Sequence, residues 1–172
     1  MENIYTFRKL SKEDIPNILE IYNYYIQNGL QNFEENIIPY DEFYTLCNNI
    51  LNADLPFIVC EKGDGIVGFA YLNTFRNKSG YKHSFENTVY VQNIHKGKGI
   101  GNNLLKKLVF ASRKNLKIKN IIAVIGSHDP NASIKIHEKN GFDMIGTIKK
   151  AGFKKNQWVD AIYMQKILDD KN

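Results

Sequence analysis

Two cysteines, one tryptophan and four prolines in 172 residues leave little room for several protein classes. Cys47 and Cys60 fall in a helix-like and a strand-like segment. Neither has a second Cys or a His at metal-ligand spacing, so buried free thiols are expected, with neither a disulfide framework nor a metal site. The four histidines are scattered along the chain, and no metal is predicted. Long apolar runs are missing as well. The longest, such as residues 121–125, are strand-sized and far short of the ~20 residues that cross a bilayer. The start, Met1-Glu2-Asn3-Ile4, lacks the basic-then-apolar order of a secretory signal, and the expected compartment is the cytoplasm. No linker, repeat or low-complexity tract divides the sequence. A single domain over residues 1–168 with a frayed tail, 169–172, is therefore expected.

What is present is ordinary globular composition, 43% hydrophobic and 24% charged, with a net charge of +5. That charge favours anionic partners without naming one. No basic stripe interleaved with aromatics marks a nucleic-acid surface, so no nucleic-acid partner is expected. Hydrophobic periodicity predicts a strand over 4–8, then a helix capped by Ser11 and stopped by Gly29, then a second helix over 41–51. Strands follow over 56–60 and 66–71, joined by the hairpin signal Gly63-Asp64-Gly65, with a third over 84–91. A helix from Ile100 carries Leu104, Leu105, Leu108 and Val109 on one face. The apolar run 121–125 reads as a strand buried on both sides. A short helix capped by Asp129 or Asn131 runs to Lys139 and Gly141. Two last strands, 143–149 and 157–165, flank a turn-rich stretch, 151–156. The order predicts an α/β (α+β) fold, a mixed and mainly antiparallel sheet of about six to seven strands with helices on both faces.

One motif carries chemistry. After the strand ending at Val91 comes Lys96-Gly97-Lys98-Gly99-Ile100-Gly101, and then a helix. Glycine lets the backbone approach a ligand, and the first N–H groups of a helix have no internal partner, which suits phosphate. A glycine-rich turn with exposed lysines is the plainer reading. The spacing matches neither a Walker loop, since Gly101 precedes Asn102 and Asn103, nor the dinucleotide fingerprint G-x-G-x-x-G after a first strand. A side chain at Gly99 is expected to block the backbone's approach to phosphate.

In this context the segment from Val89-Tyr90-Val91 to Gly101 resembles the acyl-CoA motif Q/R-x-x-G-x-G/A of the GCN5-related N-acetyltransferases. Lys96, Gly99 and Gly101 stand at its key positions, with lysine replacing the usual glutamine or arginine. Residues 131–142, headed by Asn131 and ending Gly141-Phe142, resemble that family's second landmark. The stretches Phe85-Glu86-Asn87-Thr88-Val89-Tyr90-Val91, Ile122-Ala123-Val124-Ile125-Gly126 and Ala151-Gly152-Phe153-Lys154, with Trp158-Val159-Asp160 and Phe33-Glu34, resemble its phosphinothricin and methionine sulfone or sulfoximine acetyltransferase subfamily.

The resemblance implies that acetyl-CoA is the co-substrate. Main-chain groups of Val89, Tyr90 and Val91 would hold the pantetheine arm. Lys96, Gly97, Lys98, Gly99, Ile100, Gly101 and Asn102 would hold the pyrophosphate, and Asn131 would contact the pantetheine or the sulfur side. Glu86 is the candidate general base, with an ammonium anchor or a structural ion pair as the alternative. His137 stands where many members carry the tyrosine that protonates the departing thiolate, and a structural histidine is the alternative. Phe33, Glu34, Arg76, Asn77, Lys78, Asn87, Thr88, Trp158 and Tyr163 are the remaining acceptor-site candidates. Arg76 and Lys78 would suit an anionic acceptor, whereas acidic walls would suit a polyamine or an aminoglycoside. The resemblance also implies a homodimer. A protein terminus as acceptor, or a catalytically silent acyl-CoA binder on the same fold, remains open at this point.

Overall fold

The computed structural model describes residues 5–63, 65–126 and 130–168. Seven strands form one sheet in the order β1-β2-β3-β4-β5-β7-β6. They are β1 (Thr6–Lys9), β2 (Phe57–Lys62), β3 (Gly65–Thr74), β4 (Ser84–Val91), β5 (Asn120–Gly126), β6 (Asp143–Lys154) and β7 (Gln157–Ile167). Four helices accompany them: α1 (Ile15–Asn28), α2 (Tyr40–Asn52), α3 (Ile100–Ser112) and α4 (Asn131–Lys139). The mixed, mainly antiparallel sheet follows the sequence expectation, and β4–β5 is its parallel pair.

Alternation along β4 divides the molecule into two layers. Tyr90 stacks on Tyr25 of α1 and meets Tyr22 edge-on, at centroid distances of 4.7 and 5.8 Å. The odd-numbered neighbours point to the other face, where Asn87 reaches His137 of α4 and Val91 lies beside Gly101 of α3. Both layers are dry. Phe43, Phe69, Leu104, Leu105, Leu108, Ile121 and Met164 are all essentially fully buried. Each such side chain contributes about 1.5–3 kcal/mol relative to leaving it in water.

Several sequence boundaries shift. A 3-10 turn, Lys12–Asp14, precedes α1, and Ser11 shares a capping box with Asp14. Asn131 is the first residue of α4, with Pro130 at the cap position. The strand expected to be buried on both faces, now β5, alternates buried with half-buried residues, because Ile122 and Val124 are only partly covered. The stretch 151–156 is no separating turn: β6 continues to Lys154 and the chain reverses over Lys155 and Asn156. Their φ values of 52° and 57° suit a two-residue hairpin whose twist matches the strands. Ile4, Asp64, Asp129 and the tail 169–172 lie outside the described residues.

Candidate active site

Although β4 and β5 are parallel neighbours, they pair only through Ser84, Phe85 and Glu86 against Asn120, Ile121 and Ile122. Beyond Glu86 they diverge and open a wedge within the sheet. The β3–β4 ladder shows which groups line that wedge. The bonds Gln92 N–H to Val67 O and Phe75 N–H to Ser84 O fix the even-numbered residues of β4 as those facing β3. In an antiparallel ladder the alternate residues must face away. Val89 and Val91 therefore turn their N–H and C=O groups into the wedge. The Val91 carbonyl accepts a hydrogen bond from Tyr25 Oη at 2.5 Å.

At the open end of the wedge the glycine loop turns into α3. Gly97 and Gly99 both adopt φ = 76°, a left-handed conformation that glycine tolerates and other residues resist. Gly99 is the N-cap of α3, and the first helical bond runs from Asn103 N–H to Gly99 O. The amides of Ile100, Gly101 and Asn102 therefore have no partner within the helix. No acidic residue stands in the first turn to compete for them. Gly101 sits where an added Cβ would lie 3.6 Å from Ile136 and 3.7 Å from Val91, so this turn packs directly on α4 and the end of β4. Lys96 lies over the Tyr25 ring at 5.0 Å, and Lys98 Nζ donates to Ile94 O at 3.2 Å. A Cβ on Gly99 would meet nothing within 4 Å. A side chain there would meet no protein atom but would strain the backbone that presents the amides.

On the α1–α2 side, at the apex of the wedge, Glu86 enters a cavity of about 330 Å³. Tyr22, Glu34, Glu42, Tyr71, Asn73 and Thr88 share its wall. Burial pushes the Glu86 carboxyl up to about 7, against the pull of Arg76 in the other direction. A carboxylate poised near neutrality, beside a polar chamber and a row of main-chain donors and acceptors, suits deprotonation of an amine next to an extended ligand.

A model of the acetyltransferase (GNAT) domain matches residues 7–163. The chain belongs to the GNAT family. It is similar to a phosphinothricin N-acetyltransferase of Alcaligenes faecalis, 33% identical over 95% of this chain and 83% of that protein. An L-methionine sulfoximine/L-methionine sulfone acetyltransferase of Salmonella typhimurium is 29% identical over 96% of this chain and 95% of that one. The crystal structure of a phosphinothricin acetyltransferase from Sinorhizobium meliloti in complex with acetyl-CoA superimposes with a TM-score of 0.89, at 32% identity, over 95% of this chain and 88% of that one. The protein is therefore an acetyl-CoA-dependent N-acetyltransferase.

The acetyltransferase does not place every expected residue in its site. His137 Nδ1 lies 2.7 Å from the Ser133 carbonyl, which can only accept, so Nδ1 carries the proton. Nε2 then accepts from Asn87 Nδ2 at 3.0 Å. The ring is 3% exposed, and burial lowers its pKa despite the Ser133 bond. A neutral imidazole whose Nε2 accepts from Asn87 has no proton there to give, an arrangement that favours the structural alternative for His137. Phe33 wedges its ring between Gly126 and Gly152, where an added Cβ would come within 2.7 and 2.5 Å of it. It joins the α1–α2 loop to β5 and β6 and is absent from the cavity wall, as are Asn77, Lys78, Trp158 and Tyr163. Trp158 instead meets Phe153 edge-on at 5.2 Å, at the exposed tip of the β6–β7 hairpin. Arg76 also lies outside the wall, with its guanidinium 5.2 Å from the Phe75 ring centroid, yet within electrostatic reach of Glu86. Asn131 is exposed at the start of α4.

Sequence reasoning missed the hydroxyl-rich part of the site. Tyr22 and Tyr71 line the cavity, Tyr90 packs edge-on against Tyr22, and the Asn32 side chain lies close to Tyr22 and Tyr90 while accepting from Glu34 N–H. Buried Lys154 supports Asn32 by donating to its carbonyl at 2.7 Å. Among these, Tyr90 was expected only for its main chain, and Tyr22 carried a signal as the polar-tipped member of the apolar stripe of α1.

Proposed function

We propose that the acetyltransferase acetylates the α-amine of a small amino-acid analogue of the phosphinothricin, methionine sulfone or methionine sulfoximine kind. Glu86 would be the base in this reaction. The observation that carries the proposal is the Glu86 carboxyl, half-buried at the apex of the wedge and held near neutrality. The acceptor arrives as an ammonium ion and yields a proton to the ionised Glu86. Its nitrogen then bonds to the thioester carbonyl carbon, the carbon–sulfur bond breaks, coenzyme A departs as a thiolate, and the nitrogen's second proton passes to solvent water to leave the neutral amide. A thiol is acidic enough to leave in that form without an obligatory proton donor. The free amides of Ile100, Gly101 and Asn102 receive the pyrophosphate, and the wedge edge of Val89 and Val91 receives the pantetheine arm. Asn131, exposed at the start of α4, would contact that arm. Arg76 is the cation available to an acceptor carboxylate or phosphinate.

Direct transfer is favoured over an acyl-enzyme. Cys47 and Cys60 are buried, and burial pushes their thiols up to about 12 and about 11, where little thiolate exists to act as nucleophile. An apolar edge strand, β6, supports a homodimer.

Three carboxylates on the cavity wall, Glu34, Glu42 and Glu86, favour a second reading in which the acceptor is a cationic amine. Coenzyme A release measured with methionine sulfone, phosphinothricin, a polyamine and an aminoglycoside separates the two. Turnover confined to the first pair supports the amino-acid reading, and turnover confined to the second pair overturns it. Thermal stabilisation by acetyl-CoA with no turnover on any amine would reveal a silent binder.

A further inference from the structure

Asn87 Oδ1 is a buried side-chain acceptor that lacks a partner, and no other such atom occurs among the described residues. A carbonyl oxygen left in that state costs roughly 1–3 kcal/mol, which a fold tolerates when a ligand supplies the missing donor. Its location identifies the ligand. Asn87 is the first residue of β4 beyond the three that pair with β5, so it stands at the apex of the wedge, on the α4 side. A thioester presented to Glu86 must pass this point.

The orientation of the Asn87 amide is set by a chain of fixed roles. The Ser133 carbonyl can only accept, so His137 Nδ1 donates and Nε2 is left as an acceptor. Asn87 must then turn its NH2 toward the ring, at 3.0 Å, and its oxygen away from it. Phe142 holds the ring edge-on at a centroid distance of 5.0 Å, and both Asn87 and His137 are buried. The relay from Ser133 to Asn87 is complete before any ligand arrives.

We propose that Asn87 Oδ1 accepts a hydrogen bond from the pantetheine amide N–H nearest the sulfur of acetyl-CoA, and that His137 is a positioning residue that aims this oxygen. Pantetheine carries that N–H two methylenes from the sulfur, so it enters the wedge alongside the thioester. The inference rests on acetyl-CoA occupying the wedge.

The test is calorimetric binding, without an acceptor amine, of acetyl-CoA and of an analogue in which that N–H is replaced by CH2. Wild-type protein should bind the analogue roughly three- to tenfold more weakly, the range for one hydrogen bond. In Asn87→Ala the two ligands should bind equally. His137→Leu, which frees the amide to turn, should behave like Asn87→Ala, whereas His137→Gln, which restores an acceptor at the Nε2 position, should behave like wild type. Each result is a ratio of two ligands on one protein, so a general loss of stability cancels. An analogue that binds the wild type and both disruptive variants with the same penalty overturns the proposal and leaves the donor site standing. A wild-type protein that fails to bind acetyl-CoA overturns the wedge assignment itself.

Discussion

At the scale of single residues, the proposed acid–base chemistry rests on Glu86. Since burial raises its carboxyl to about 7, the fraction able to take a proton grows as pH rises through that value. Activity should therefore show a limb centred near pH 7. Glu86→Gln should remove the limb and lower kcat by roughly 10²- to 10⁴-fold, the usual contribution of a positioned base, while acetyl-CoA affinity stays within about twofold. A pH series of initial rates with calorimetry of donor binding checks this, and near-normal turnover in the variant would eliminate Glu86 as base. Stability gives an independent reading of the same group. A carboxyl raised by the fold binds its proton more tightly folded than unfolded, so its contribution is complete below the unfolded value and is lost as pH rises to about 7. Glu86→Gln should accordingly raise the melting temperature at pH 8 relative to wild type and change it less at pH 4. The place of Glu86 on β4 was legible in the sequence, since the strand over 84–91 was, and its proposed role came with the family resemblance. The role of His137 was not, because it is decided by which atoms of Ser133 and Asn87 face the ring, and the second of these is 50 residues away.

Among the elements, the turn into α3 is the most exacting. Its amides can face one anion only while Gly97 and Gly99 hold φ = 76°. An L-residue at Gly99 would pay of order 1–2 kcal/mol for that conformation even though its Cβ meets open space. Gly99→Ala is expected to weaken acetyl-CoA binding roughly tenfold while leaving kcat at saturating donor nearly unchanged. A titration followed by saturation kinetics measures both quantities, and unaltered donor affinity would detach this loop from the pyrophosphate. Element boundaries were legible where periodicity was clean: the strand expected over 84–91 coincides with β4. They were lost at β6, where Lys150, Lys155 and Asn156 all take positive φ without a glycine to announce it. The divergence of β4 from β5 left no mark in either strand, since it depends on how the two part in space.

For the whole molecule, β6 is the feature a monomer explains least. It is a 12-residue edge strand, exposed on both faces along most of its length, and it carries Met144, Ile145, Ile148 and Phe153 at about half exposure or more. Long apolar edges of this kind are normally covered. A second copy of the chain is the occupant expected here, and Ile145→Lys combined with Ile148→Lys should convert a dimer to a folded monomer in sedimentation velocity. A wild-type monomer at micromolar concentration would refute this.

The short β4–β5 contact has a mechanical consequence. Within the sheet, only three residue pairs join β1–β4 to β5–β7. A donor lying in the wedge would act as a missing strand and splice them. Deuterium uptake should show this directly: the Val89 and Val91 amides ought to exchange quickly in the free protein and slow markedly with acetyl-CoA, while β2 and β3 remain protected in both states. On this view the co-substrate is also a structural member, and the ladder between β4 and β5 runs its full length only while the enzyme is charged for catalysis.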